Sequence, residues 1–170
     1  MEFLELAKKR YSCRKLQGKP VEEEKIRQIL EAGNLAPTAV NKQPVHIWTL
    51  RTPEAMEKLG QTTHFVFGAP VAIVIGSKAD EAWVRSFDEK NFAEVDAAIV
   101  ATHMMLAVED LGLGTTWVGH FDAPKLKELF PEMADYALNC VLPIGYPAED
   151  AAPASRHAER KGIDALTTWL

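Results

Sequence analysis

Cysteine is scarce in this chain. The two present, Cys13 and Cys140, lie in distant segments with no CxxC and no metal-ligand spacing. That excludes a disulfide framework, and free thiols in a reducing, cytoplasmic setting are the expectation. A basic excess is also missing: 19 Lys and Arg stand against 24 Asp and Glu, a net charge of -5. A phosphate backbone needs a cationic face, so no nucleic-acid partner is expected. Long apolar runs are missing too. The most apolar stretch, 97–113, is interrupted by His103, Glu109 and Asp110, so it is a poor bilayer span and no membrane partner is expected. The N-terminal MEFLELAKKR mixes charges with its apolar residues, unlike a secretory signal. With 170 residues, 47% hydrophobic and 25% charged, and no repeat or low-complexity tract, the chain reads as one folded domain over 1–170.

Periodicity places the elements. Phe3, Leu6 and Ala7 share one face of a helix over 2–9. Pro20 opens a second helix, with Glu22, Glu23 and Glu24 in its first turn and Gly33 as its stop. Two prolines and an Asn make 35–44 irregular. VHIWTL (45–50) reads as a strand, 53–59 as a short helix, and 71–75 as a strand buried on both faces. The segment 79–92 is expected to be a long, partly helical connection. Residues 94–111 form a helix apolar on almost every side, hence buried centrally or against a partner subunit. Thr115–Val118 is a short strand, Asp122 caps a helix through Phe130, and 138–144 is the last strand. The fold class is α+β or mixed α/β. The tail from Tyr146 ends in Trp169-Leu170, which suits packing on a second copy of the chain.

Four segments could carry chemistry. In Arg10-Tyr11-Ser12-Cys13-Arg14, an extended backbone would point residues 10, 12 and 14 to one face, offering two guanidinium forks about a hydroxyl. A solvated turn after a helix is the plainer alternative. LAPTAVNKQP (35–44) holds Asn41 and Gln43, whose amides suit the imide edge of a flavin or nucleobase; a surface loop explains it as simply. GLGTTWVG (112–119) lets backbone approach a ligand, or merely ends a helix. It is not GxGxxG and follows no strand, which disfavours a dinucleotide phosphate loop. LPIGYPAED (142–150) is followed by Arg156, Arg160 and Lys161, a turn and a charged tail at its plainest.

Other chemistries lack their residues. His46, His64, His103, His120 and His157 show no HExxH or similar spacing, so no metal is expected. Neither GxSxG nor a Walker motif occurs. Cys13 alternates away from the flanking arginines, which argues against a nucleophile. His103 and Met104-Met105 read as core residues.

RYSCR, LAPTAVNKQP, GLGTTWVG and LPIGYPAED, in this order, resemble the nitroreductase family of FMN-dependent oxidoreductases and together span nearly the whole chain. The resemblance implies a central mixed sheet flanked by helices. It implies an intertwined homodimer with FMN at the interface, the 94–111 helix in that interface and the C-terminal tail exchanged. It makes Arg10 and Arg156 phosphate ligands, with Arg160 weaker, and Ser12 a ligand of the ribityl or phosphate region. Arg14 becomes the cation near the flavin N1 and O2 edge, and Tyr11 and Cys13 belong to the same cofactor-binding stretch. Pro37, Thr38 and Ala39 become a cross-subunit contact, and Asn41 and Gln43 polar partners of FMN. Val118 and Gly119 lie over the flavin, with the Gly119 N–H near N5, so Arg14 and Gly119 stand as catalytic.

The implied reaction is ping-pong: NADH or NADPH delivers hydride to flavin N5, then a small-molecule acceptor such as a nitroaromatic or quinone takes the electrons. The alternatives are a flavin-sequestering protein without turnover, or another reaction on the same scaffold such as enone reduction or reductive dehalogenation. Val45, Leu16, Lys42, Val40 and His120 depart from the family's pattern, and the last few shape the pocket above the ring.

Overall fold

A computed structural model describes residues 2–170 of the chain. Its centre is β2 (Val71–Ser77), the apolar run expected to be covered on both faces, and every residue in it is buried. It pairs with β1 (Val45–Leu50) and β6 (Ala137–Gly145), and β5 (Gly114–Thr115) completes the order β1-β2-β6-β5. These pairs are antiparallel; the parallel component is one bridge, Ser12 with Thr115, which lays the N-terminal segment beside β5.

Alternation along β2 divides the core. Val71, Ile73 and Ile75, with Leu142 and Ile144 of β6, pack against α2 (Glu23–Asn34) and α4 (Ala93–Asp110). Ala72, Val74 and Val141 face the other way, onto Leu59 of α3 (Pro53–Gly60) and Leu126 of α5 (Ala123–Leu129). Burying an aliphatic side chain of this kind stabilises by roughly 1.5–3 kcal/mol. Thr52 and Asp122 cap α3 and α5, each accepting a backbone N–H of the first turn. A short helix α1 (Phe3–Lys9) opens the chain. Among the described residues no helix is long and apolar enough to cross a membrane.

Several expectations need correction. The second helix starts at Glu23, because Glu22 is still extended. Gly33 does not stop it; a Cβ there would meet Met104 Cγ at 2.9 Å, so Gly33 lets α2 pack closely on α4. The 79–92 segment holds no helix but a ribbon, β3 (Val84–Arg85) with β4 (Lys90–Asn91), its turn pinned by the Arg85–Asp88 pair. The strand expected over Thr115–Val118 is shorter, with Val118 making an isolated bridge to Val141.

α4 buries one face only: Ala93, Ala97, Val100, Ala101, Met104 and Val108. Its other apolar stripe, Val95, Ile99 and Leu106, is half-buried, and His103 lies there rather than in the core. The C-terminal tail is exposed from Ala158 onward, including a short helix α6 (Ile163–Leu166) and Trp169, which is 89% exposed.

Candidate active site

The first motif is stitched into the sheet edge by its backbone. Arg10 ends α1 and turns the chain extended. Cys13 N–H then donates to Thr115 O at 2.9 Å and Leu16 N–H to Phe67 O at 3.0 Å. Gln17 N–H donates to Tyr146 O at 2.8 Å, and Ala148 N–H returns to Lys15 O at 3.0 Å. Lys15 also pairs with Asp150. Residues 10–17 therefore lie between β5 and the turn after β6, and the first, third and fourth motifs meet at one sheet edge.

Side chains follow the alternation. Cys13 is fully buried while Arg14 is exposed. Gly114 permits this packing: a Cβ on it would lie 2.9 Å from both Cβ and Sγ of Cys13. The Tyr11 and His157 rings meet edge-on with centroids 6.2 Å apart, which brings the start of the tail beside the first motif. Burial, reinforced by a hydrogen bond with Cys13 and the negative charge of Glu109, pushes the Tyr11 phenol up to about 12, so it stays neutral at ordinary pH. Glu109 is itself buried on α4 and pairs with Lys9 at 3.4 Å.

The arginines separate into two groups. Arg27 and Arg51 pair with Glu23, and Arg85 with Asp88. Arg160 donates to the backbone carbonyls of His157 and Glu159. Arg10, Arg14 and Arg156 have no carboxylate partner among the described residues; Arg14 reaches only the Ser12 carbonyl, at 3.3 Å. In a chain of net charge -5, these three guanidinium groups, without acids and not tied to a pair of carbonyls as Arg160 is, are a donor set for an external oxyanion.

Arg14 and the run Thr116–His120 line a cavity of ≈ 130 Å³. Phe65 and Phe67 complete its wall, and with Trp117 they make it aromatic. Sequence reasoning missed Phe65 and Phe67, which follow no periodicity that would mark them, while Trp117 lies within the third motif. The Gly119 N–H has no acceptor among the described residues, and a Cβ there would meet nothing nearer than Trp117 Nε1 at 3.8 Å. A free backbone donor, an aromatic wall and unpaired guanidinium groups together fit a planar group that carries negative charge.

The second motif stands elsewhere. Thr38, Gln43, Val45, Ile47 and Val100 border a separate cavity of ≈ 160 Å³ beside β1. β1 and β5 are opposite edges of the sheet, three strand spacings apart, which is about 14 Å. Within the loop, Val40, Asn41 and Gln43 take left-handed φ of 52°, 54° and 52°. The structure thus gathers Arg10, Tyr11, Ser12, Cys13, Arg14, Val118, Gly119 and the segment bearing Arg156. It holds Pro37, Thr38, Ala39, Asn41 and Gln43 apart from them.

Known proteins align with this arrangement. A model of the nitroreductase family matches residues 7–64 and 62–146. A nitroreductase family protein from Clostridium difficile 630 superposes with a TM-score of 0.91 at 34% identity, over 99% of this chain and 98% of that one. A protein of Methanothermobacter thermautotrophicus bearing the name NADH dehydrogenase/NAD(P)H nitroreductase is 32% identical over 157 residues, covering 88% of this chain and 80% of its own length. A Desulfovibrio desulfuricans protein solved in complex with FMN superposes with a TM-score of 0.83 at 25% identity, over 100% of this chain and 97% of that one. On its motifs, its fold and these matches, the chain belongs to the nitroreductase family.

Proposed function

We propose that this chain is an FMN-dependent NAD(P)H oxidoreductase that works as a homodimer and reduces nitroaromatic, quinone or similar conjugated acceptors. The observation that carries the reading is the set of three arginines, Arg10, Arg14 and Arg156, that pair with no acid among the described residues and, unlike Arg160, are not tied to two backbone carbonyls; Arg10 and Arg14 lie in the segment beside β5, and His157, next to Arg156, meets Tyr11 of that segment.

FMN, when bound, supplies two-electron hydride chemistry that no side chain of the protein can perform. Arg10 and Arg156, with Ser12, would hold the phosphate, whose charge is about -1.5 to -2 near neutral pH. Arg14, at the mouth of the aromatic cavity, would offset the negative charge that FMN gains on reduction. The Gly119 N–H would be free to orient the cofactor's reacting edge, with Val118 beside it fixed by its bridge to Val141. Phe65, Phe67 and Trp117 exclude water and offer planar acceptors a stacking face. Cys13 is packing rather than a ligand side chain, and Tyr11 remains a neutral phenol. Donor and acceptor use one small cavity in turn, which makes the kinetics ping-pong.

The homodimer rests on geometry and on exposed apolar surface. Cofactor pockets run to roughly 300–1,000 Å³, and the cavity at Arg14 has ≈ 130 Å³. A second chain supplies the missing wall with its Thr38–Gln43 loop, which in one chain stands at the wrong edge of the sheet. The half-buried stripe of α4 and the exposed Ile163, Leu166 and Trp169 of the tail fit the same partner. Both cysteines are free and buried, in keeping with a cytoplasmic enzyme.

Titrating the purified protein with FMN, then adding NADH or NADPH without oxygen, tests the reading. Uptake of FMN, bleaching at its visible maximum and recovery of colour on adding menadione are expected. No uptake ends the reading; uptake without bleaching turns the protein into a flavin carrier.

A further inference from the structure

Asp96, a carboxylate outside the aromatic cavity, has no use in the chemistry above. It lies in the first turn of α4 and is 1% exposed. Its Oδ1 accepts the Ala39 N–H at 2.9 Å, from helix to second-motif loop, and its Oδ2 is buried with no partner among the described residues. An unpaired buried carboxylate oxygen is expensive, and the positive end of the helix dipole offsets only part of that. The dipole would be served equally by an exposed acid in this turn, as Glu94 is, so the burial of Asp96 points to the loop it bonds.

The loop needs an external hold. Left-handed backbone is disfavoured for any residue with a side chain, and most for a β-branched one such as Val40. The loop's own bonds are short-range: Thr38 Oγ1 accepts the Gln43 N–H at 3.0 Å, Thr38 O accepts the Asn41 N–H at 3.0 Å, and Asn41 O accepts Gln43 Nε2 at 3.3 Å. Among the described residues, Asp96 is the one side chain from outside the loop that bonds to its turn.

We propose that Asp96 is a positioning residue whose carboxylate clamps residues 38–43 in the conformation that presents Asn41 and Gln43 to the cofactor. The presentation half of this rests on the FMN reading above; the clamp itself does not. Without the clamp, the left-handed residues relax and the two amides lose their placement. The groups at Arg14 and Gly119 stay as they are.

Two measurements on Asp96→Ala, Asp96→Asn and the wild type decide it. The first is limited trypsin digestion of the cofactor-free protein, read by mass at the exposed Lys42. Asp96→Ala is expected to be cut there several-fold faster, while Asp96→Asn, whose side-chain carbonyl can still accept the Ala39 N–H, stays near the wild type. The second is FMN titration with steady-state kinetics. Asp96→Ala is expected to bind FMN roughly tenfold more weakly, with kcat at saturating FMN changed by no more than about twofold. Ala39→Pro removes the donor from the loop side and leaves α4 untouched; faster cutting at Lys42 is expected in it as well, which covers the case of a misfolded helix variant. Equal cutting and equal affinity in the wild type, Asp96→Ala and Ala39→Pro overturn the proposal. A wild type that takes up no FMN overturns the cofactor reading and the presentation role, while the trypsin comparison still decides the clamp.

Discussion

The two edges of the sheet hold their functional segments by different means. At the β5 edge, residues 10–17 are tied by backbone hydrogen bonds to three other segments, and a glycine lets Cys13 seat against the strand. At the β1 edge, residues 38–43 are held by bonds within the loop and by one carboxylate, with three residues in left-handed backbone. The first half is part of the fold and disappears only with it. The second is a conformation laid on top of the fold, and it can be lost while the sheet stays intact.

The sharpest way to break that contrast is at Gly114. Gly114→Val places a side chain against Cys13 Cβ and Sγ, where a lone Cβ is already at 2.9 Å. Overpacking of this kind costs about 1–3 kcal/mol. A lower denaturant midpoint with simultaneous loss of FMN binding is expected, and a variant as stable as the wild type would remove the claim that this edge is built by the fold. Arg14→Ala should act on the site alone. Hydrogen bonds to charged groups contribute about 1.5–3 kcal/mol, so FMN affinity should fall roughly ten- to hundredfold, with slower reduction by stopped flow and an unchanged melting temperature.

Phe65→Ala removes one ring of the aromatic wall. Aromatic contacts add about 0.5–1.5 kcal/mol, so KM for a planar acceptor should rise about two- to tenfold while FMN affinity holds. The smallest effect concerns pH. The Tyr11 phenol, ordinarily near 10, stands at about 12 in the fold. The stability it contributes is present below pH 10 and is lost as pH rises toward 12. Tyr11→Phe should lessen alkaline unfolding in that window and leave neutral-pH stability nearly unchanged, as alkaline melts would record.

Local pattern made much of this legible. The run of β2 and the β-branched VHIWTL marked the central strand and its edge neighbour because burial on one or both faces dictates residue type along a strand. Asp122 and Pro124 marked the start of α5 because capping chemistry is local. The ribbon at 84–91 was not legible, since Trp83, Phe87 and Phe92 fit neither period cleanly and Arg85–Asp88 is a turn contact only the folded chain displays. Long-range pairing was equally hidden. Nothing near Ser12 announces that it lies beside Thr115, and nothing near Phe65 and Phe67 announces the cavity they line. The separation of the second motif from the rest follows from strand order, which is a property of the whole sheet.

The arginines without acids have a practical consequence. A guanidinium fork lacking an internal counter-ion takes up whatever oxyanion the medium provides. Phosphate or sulfate in a purification buffer is then a competitor, not a spectator. Flavin affinities measured in such buffers will read weak, and protein handled in chloride should recover its full appetite for the nucleotide.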